Sequence, residues 1–375
     1  MTAMDGPAGG EADTGVEGPA EVDVVEGARR PRATMRDVAA LAGVSLKTVS
    51  RVINREPGVS SALVAQVERA VAQLDYRPNM SASSLRRGDG KTAAIAAVLE
   101  DLANPFSASL LRALEDTAHE RGVLIFAGSV DEDPRREREL VRAFTMRRAD
   151  GIVIAPTGDD QSYLSADIRA GTPVVFVDRP ARGLSADAVL ADNVSGAQQA
   201  VRHLAAHGHR RIAYLGDWLA IPTARQRHQG YREACLDLGL AARPDHTVHD
   251  LRSVDAAEAA VTGVLRADEP PTALFTSQNL VTIGAVRALQ HLGLHDRVAV
   301  VGFDDFPLAD LLQPRVTVVA QDPAAIGRTA ASLVFRRLDG ECWAPAEHIV
   351  PVVLTVRGSG EIPPPANGVH HQADG

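Results

Sequence analysis

The stretch SLKTVSRVIN, residues 45–54, sets Lys47, Ser50, Arg51 and Asn54 against Val49, Val52 and Ile53 at helical spacing. Donors gathered on one side of a short helix form either a plain solvated face or a surface built to meet a partner. Two other groupings invite chemistry. Asp304-Asp305 could be a carboxylate pair for acid–base work. No nucleophile, phosphate-cradling loop or Gly-x-Gly-x-x-Gly accompanies it, so no enzymatic activity is expected. His203, His207 and His209 in HLAAHGHRRIA resemble metal-ligand spacing, but Gly208, Arg210 and Arg211 suit the end of a helix. No metal site and no cofactor is expected.

The elements around residues 45–54 favour a partner. Thr34 with Asp37 forms a capping-box pattern ahead of Val38, Ala39 and Leu41. Gly43 breaks that helix, Ser45 caps the next, and Pro57-Gly58 breaks again. Ser60 then opens a third helix carrying Leu63, Val64, Val67, Val71 and Leu74. Two short helices across a glycine turn, braced by a third, form a helix-turn-helix unit. Charge points the same way. Residues 1–28 hold seven acids and no base, whereas residues 29–91 hold twelve bases against five acids. The whole chain carries −9, so a small basic module sits on an acidic body, the asymmetry of a nucleic-acid binder.

From about residue 93 apolar runs alternate with helical stretches. Runs at 94–99, 123–127, 152–155, 174–177, 212–215, 273–275 and 298–302 read as strands, and 105–121, 134–148 and roughly 160–170 as helices. Such alternation predicts parallel sheets covered by helices on both faces. About ten strands over some 270 residues are more than one sheet holds comfortably, so two doubly wound subdomains facing a cleft are expected, with ligands at the strands' carboxyl ends. Residues 1–32 lack large apolar side chains and read as a disordered acidic tail. No apolar run is long enough for a membrane helix, no leader-like start is present, and Cys235 and Cys342 read as buried thiols of a cytoplasmic protein.

The stretch TMRDVAALAGVSLKTVSRVINREPGVSSALVAQVERAVAQLDYRPNMSASSLRRG resembles the DNA-binding headpiece of the LacI/GalR family of bacterial transcription regulators. The likeness continues through NPFSASLLRALEDTAHERG, RRADGIVIAP, VVFVDRP, HGHRRIAYLG, VGFDDF and TVVAQDPAAIGRTAASLV, covering about residues 33–358. It implies an all-α helix-turn-helix headpiece plus an α/β periplasmic-binding-protein-like core. The implied domains are the headpiece at 33–78, a hinge helix and linker at 79–91, and an N-subdomain at 92–191 with about 322–349. A C-subdomain follows at 192–321 with about 350–360, then a disordered tail at 361–375.

By position the resemblance implies that Leu46, Lys47 and Arg51 face base edges in the major groove, where Arg is the natural bidentate reader of guanine. Thr48, Ser50 and Asn54 would bond phosphates, and Thr34 and Ala82 join the DNA-binding set. Leu85 occupies the place of a leucine wedged into the minor groove, which bends the duplex. Where the family often has Arg, this chain has Ser83.

In the core the resemblance implies effector contacts from Asn104, Phe106, Thr223, Arg227, Gln278, Asp304 and Gln321. An Asp accepting from adjacent hydroxyls and an Arg donating to ring oxygens are the groups a sugar needs. Singly, each also reads as a solvated charge on a loop. Gln278 and Asn279 stand where the family commonly has a residue followed by Asp, and Asn279 is expected to cap the next helix. The implied function is a sequence-specific repressor acting as a homodimer on a pseudo-palindromic operator, controlled by a small carbohydrate effector. A solute-binding protein for sugar transport shares the core and is the alternative. The tail GEIPPPANGVHHQADG lacks the apolar heptads of tetrameric relatives.

Overall fold

The computed structural model describes residues 33–54, 56–77, 92–241 and 243–365. These residues fall into two compact units divided between Arg86 and Arg87. The sequence-predicted tail at 1–32 and the hinge at 79–91, with Ala82, Ser83 and Leu85, lie outside the described residues.

The first unit is three helices, α1 (Met35–Leu41), α2 (Leu46–Ile53) and α3 (Ser61–Gln73). Local chemistry sets their ends. Thr34 N–H donates to Asp37 Oδ2 at 2.7 Å while Asp37 N–H donates to Thr34 Oγ1 at 3.4 Å. Ser45 Oγ accepts from Thr48 N–H at 3.1 Å, and Ser60 Oγ from Leu63 N–H at 3.4 Å. Each such cap satisfies an orphan helix donor and contributes about 1 kcal/mol. Gly43 takes φ +59°, so the chain turns from α1 to α2 without a Cβ penalty. Gln66 of α3 donates to the Ala42 carbonyl at 2.8 Å and ties the turn down. Val38, Ala42, Val49, Val52, Val67, Ala70 and Tyr76 form the core, with Ile53 partly buried against it.

The second unit begins with β1 (Ala94–Leu99), α4 (Pro105–Glu120), β2 (Leu124–Ser129), α5 (Pro134–Met146) and β3 (Ile152–Ile154). It continues through α6 (Ser165–Arg169), β4 (Val174–Val177) and β5 (Asp187–Ala191). The chain then enters a second layer of α7 (Asn193–Ala206), β6 (Ile212–Leu215), α8 (Pro222–Asp237), β7 (Thr247–Val248) and α9 (Val254–Leu265). There follow β8 (Ala273–Thr276), α10 (Asn279–His291), β9 (Ala299–Phe303) and β10 (Thr317–Ala320). It returns for α11 (Pro323–Leu338) and β11 (Glu347–Val350), then ends on β12 (Val353–Thr355). One six-stranded sheet runs β11-β5-β4-β3-β1-β2 and is parallel throughout; the other runs β12-β10-β9-β8-β6-β7, parallel save for the antiparallel β12. Central strands such as β1, β4 and β8 are buried along their whole length, because helices cover both faces.

Three helix pairs cross on the same device. Gly230 of α8 lies over Val194 and Ala197 of α7, Gly284 of α10 over Val254 and Ala257 of α9, and Gly327 of α11 over Leu110 and Ala113 of α4. An added Cβ would stand 2.3, 2.4 and 2.5 Å from the three backbone carbonyl oxygens. Only glycine lets the backbones approach so closely.

Three expectations need correction. Residues 361–365 are not a loose tail: Glu361 accepts from Thr317 Oγ1 at 3.0 Å and pairs with His203, and Ile362 packs on the C-subdomain core. The tripeptide PPP lacks helix or strand character, but the side chains just before it find partners. Cys342 is exposed and only Cys235 is buried. Asn279 does not cap α10 either. Gln278 holds the cap position, and Asn279, the first helical residue, accepts from Leu280 N–H at 2.7 Å.

Candidate functional site

In the helical unit, Leu46 and Lys47 of α2 and its C-cap Asn54 are exposed, and Thr48, Ser50 and Arg51 are partly so. Thr48 Oγ1 shares a hydrogen bond with Ser45 at 2.9 Å, and Ser50 Oγ accepts from Asn54 Nδ2 at 3.3 Å. Arg51 is held rather than free: Nη2 donates to the Pro57 carbonyl at 2.7 Å and Nε lies 3.4 Å from Glu56. Thr34 is engaged in its capping box. Lys47 makes no hydrogen bond or ion pair among the described residues.

In the second unit all seven expected effector residues line one cavity of about 130 Å³. Its walls are the segments that leave strand ends: Glu100 to Asn104 after β1, Glu132 after β2, Asp178 and Arg179 after β4. Asp217 to Thr223 follow β6, Gln278 and Asn279 follow β8, Asp304 follows β9, and Gln321 follows β10. An outer chamber of about 340 Å³ shares Phe106, Asp304 and Gln321 with it and adds Pro105, Phe306 and Pro307. A larger groove of about 1030 Å³ along α8 contains none of the seven.

Three of the seven, Arg227, Asp304 and Gln321, are interlocked. Arg227 Nε donates to Asn193 Oδ1 at 2.8 Å, and Nη1 to the Ser277 carbonyl at 2.7 Å and Asp304 Oδ2 at 3.1 Å. Its guanidinium lies 3.9 Å from the Phe303 ring centroid. Gln321 Nε2 donates to Asp304 Oδ1 at 2.6 Å. Gln278 Nε2 donates to Asp217 Oδ2 at 2.9 Å. Asn104 Oδ1 caps α4 through Phe106 N–H and also accepts from Asn279 Nδ2 at 3.0 Å, which joins the two subdomains across the cleft. Thr223 is buried beside Arg227 on α8.

The residues that sequence reasoning missed are mostly charged. Arg179 is buried and donates to both Glu132 oxygens, at 2.8 and 2.6 Å, and to Asp178 at 3.2 Å. Glu132, Asp178 and Asp304 take φ of +58°, +64° and +69°, the left-handed region that costs non-glycine residues energy and recurs at ligand sites. Burial raises Asp178 and Asp217 above the ordinary carboxylate range. Glu100 is pushed up to about 7, first by burial and then by Glu132, with Arg179 pulling the other way. A signal for Glu100, Asp178 and Asp217 existed: AVLED, VVFVDRP and YLGDW each place an acid within two residues of an apolar strand's end, where such folds bind ligands.

The three histidines tie the fold together. His207 caps α7, and His209 bonds Thr272 Oγ1 at 2.9 Å and the Ile362 carbonyl at 2.8 Å. Among the described residues no group could hold a metal ion, and no helix is long and apolar enough to cross a membrane.

Comparison with known proteins agrees with both units. Residues 34–79 match the bacterial regulatory proteins of the lacI family, and residues 201–360 the periplasmic binding protein-like domain. The HTH-type transcriptional regulator PtxS of Pseudomonas aeruginosa is 32% identical over 336 residues, covering 88% of this chain and 96% of that protein. A solved complex of the transcriptional regulator CelR with cellobiose is 31% identical with a TM-score of 0.65, covering 88% of this chain and 100% of that one. The lac repressor dimer bound to operator and the anti-inducer ONPF is 25% identical with a TM-score of 0.77, covering 88% and 99%. Identity of this extent through headpiece and core goes beyond a shared fold: the chain belongs to the lacI family of bacterial regulatory proteins, DNA-binding transcription regulators with an effector-binding core, and is not an enzyme.

Proposed function

We propose that this regulator acts in the cytoplasm as a homodimer on a pseudo-palindromic operator, and that a small polyhydroxylated effector in the cleft controls its hold on DNA. Leu46, Lys47 and Arg51 read base edges; Thr34, Thr48, Ser50 and Asn54 hold phosphates; Ala82 and Leu85 work at the minor groove. Convergence of Asn104, Phe106, Thr223, Arg227, Gln278, Asp304 and Gln321 on one cavity supports the effector reading. Of the relatives, CelR is described with cellobiose and the lac repressor with operator and an anti-inducer, which supports a sugar-like ligand and a dimeric DNA complex.

Bound effector would bridge the two halves beside the Asn104–Asn279 hydrogen bond and change the angle between them. A coupling of roughly 1–3 kcal/mol links effector and operator, and each ligand changes the other's affinity by the same factor. The test is a thermal-shift screen of mono- and disaccharides on wild type, Asp304→Asn and Arg227→Ala. A sugar should stabilise wild type and lose its effect in both variants. Equal stabilisation of all three would place the effector elsewhere.

A further inference from the structure

The cavity contains more negative charge than it neutralises. Six carboxylates line it (Glu100, Asp101, Glu132, Asp178, Asp217 and Asp304) against three guanidiniums, Arg179, Arg227 and Arg252. Arg179 is committed to Glu132 and Asp178, and Arg227 to Asp304. Arg252 is exposed and lies over the Trp218 ring, 5.9 Å from its centroid. Asp217 accepts from Gln278 and from Trp218 N–H, and Asp101 from Ala103 N–H. The Glu100 carboxylate, partly buried, alone of the six accepts no hydrogen bond among the described residues.

A second observation points the same way. Gln321 Oε1 is buried with no donor. Its orientation is set by chemistry, because turning the amide over would replace the Nε2 donor to Asp304 with an oxygen facing a carboxylate. The cleft therefore holds an excess of acceptors and of negative charge. An anionic ligand is repelled, and a neutral polyol supplies donors without charge.

We propose that the effector is a small polar cation, a polyol bearing an ammonium group, and that Glu100 is the residue that selects it. This rests on the effector reading of the cleft above. An ammonium brings three donors and one positive charge to a partly buried carboxylate that otherwise stays unbonded. Anions and uncharged analogues of the same shape leave Glu100 uncompensated, so the preference is a difference in binding and not mere capacity.

The state of Glu100 provides a second readout. It is held near 7 by burial and by Glu132, with Asp101 and Asp178 adding to the repulsion and Arg179 opposing it. Near neutral pH a part of the molecules carries a proton there, and an arriving ammonium expels it. Binding of the cation should then release protons to buffer.

The experiment is calorimetry on the full-length protein at pH 7 with glucosamine against glucose and galactosamine against galactose, in two buffers of different ionisation enthalpy. Wild type should bind the amino member of at least one pair tenfold or more tighter, with net proton release. Glu100→Gln should bring the ratio near one and abolish the release. Neutral and amino sugars bound equally by wild type, with Arg227→Ala abolishing both, overturns the cation proposal and leaves the effector cleft standing. So does a ratio that survives Glu100→Gln. Absence of saturable heat from all four sugars, or heats that Arg227→Ala leaves unchanged, overturns the cleft reading on which the proposal rests.

Discussion

Glu100→Gln should stabilise the ligand-free protein, and only above a definite pH. The carboxyl sits just after β1, partly buried and without a hydrogen-bond donor, and its pKa rises from the usual 4.5 to about 7. A carboxyl whose folded value lies above its unfolded value binds its proton more tightly in the fold. Its ionisation therefore costs nothing below 4.5, and the fold loses stability as pH rises from there to 7. Each tenfold displacement is about 1.4 kcal/mol, so the ceiling on the loss above pH 7 is about 3 kcal/mol. Arg179 already offsets part of the penalty, because its attraction lowers the value that burial and Glu132 raise. Glutamine keeps the shape and cannot ionise. For a unit of this size a kcal/mol corresponds to about 2 °C in Tm. The variant should melt about 5 °C above wild type at pH 8, the gap closing towards pH 4.5. Asp178 and Asp217 are also raised by burial and are present in both proteins, so of them only the repulsion between Asp178 and Glu100 enters the difference. Melts of both proteins at fixed ionic strength between pH 4.5 and 8.5 make the measurement. A gap that does not change with pH, or a wild type that is the more stable at pH 8, would refute the reasoning.

Arg51→Ala should weaken specific operator binding by about 1–3 kcal/mol in a gel-shift titration, and Arg51→Lys should restore little of it, since lysine lacks the planar fork. Operator affinity should fall steeply from 50 to 200 mM salt as counterions are released, and Lys47→Ala should flatten that slope if the side chain reaches the nucleic acid. Asp304→Ala leaves the Arg227 guanidinium buried without its carboxylate and should destabilise the protein by about 3–5 kcal/mol in urea melts, with Asp304→Asn milder. Gly327→Ala forces a methyl to within 2.5 Å of the Leu110 carbonyl oxygen, so α4 and α11 must separate, at a cost of about 1–3 kcal/mol. Ala→Gly at exposed Ala62 serves as the comparison of ordinary size, about 1 kcal/mol.

Local signals carried the headpiece and the frame of the core. Caps at Thr34, Ser45 and Ser60, the glycine at 43 and the Val49–Val52 spacing act within a turn or two of themselves, so they can be read from neighbours in the chain. Strands such as β1, β4 and β8 are continuous apolar runs for the same reason. Other strands were not picked out. β5 opens with Asp187, whose buried carboxylate accepts from Arg337, Trp343 and Ala346, partners some 150 residues away. β7 has two residues, and β11 and β12 lie at sheet edges with no residue fully buried.

The same division runs through the site. Residue types, charge asymmetry and chain order pointed to the family the protein joins, and the resemblance to that family singled out the seven core residues. Tertiary structure alone decided that Glu100, Glu132, Asp178, Arg179 and Asp217 meet those seven in one cavity, and that Glu100 is left without a donor there. Caps and apolar periods are set by energies between near neighbours. The charge balance of a cleft is a sum over strand ends far apart in sequence, and it exists only once the two sheets bring those ends together.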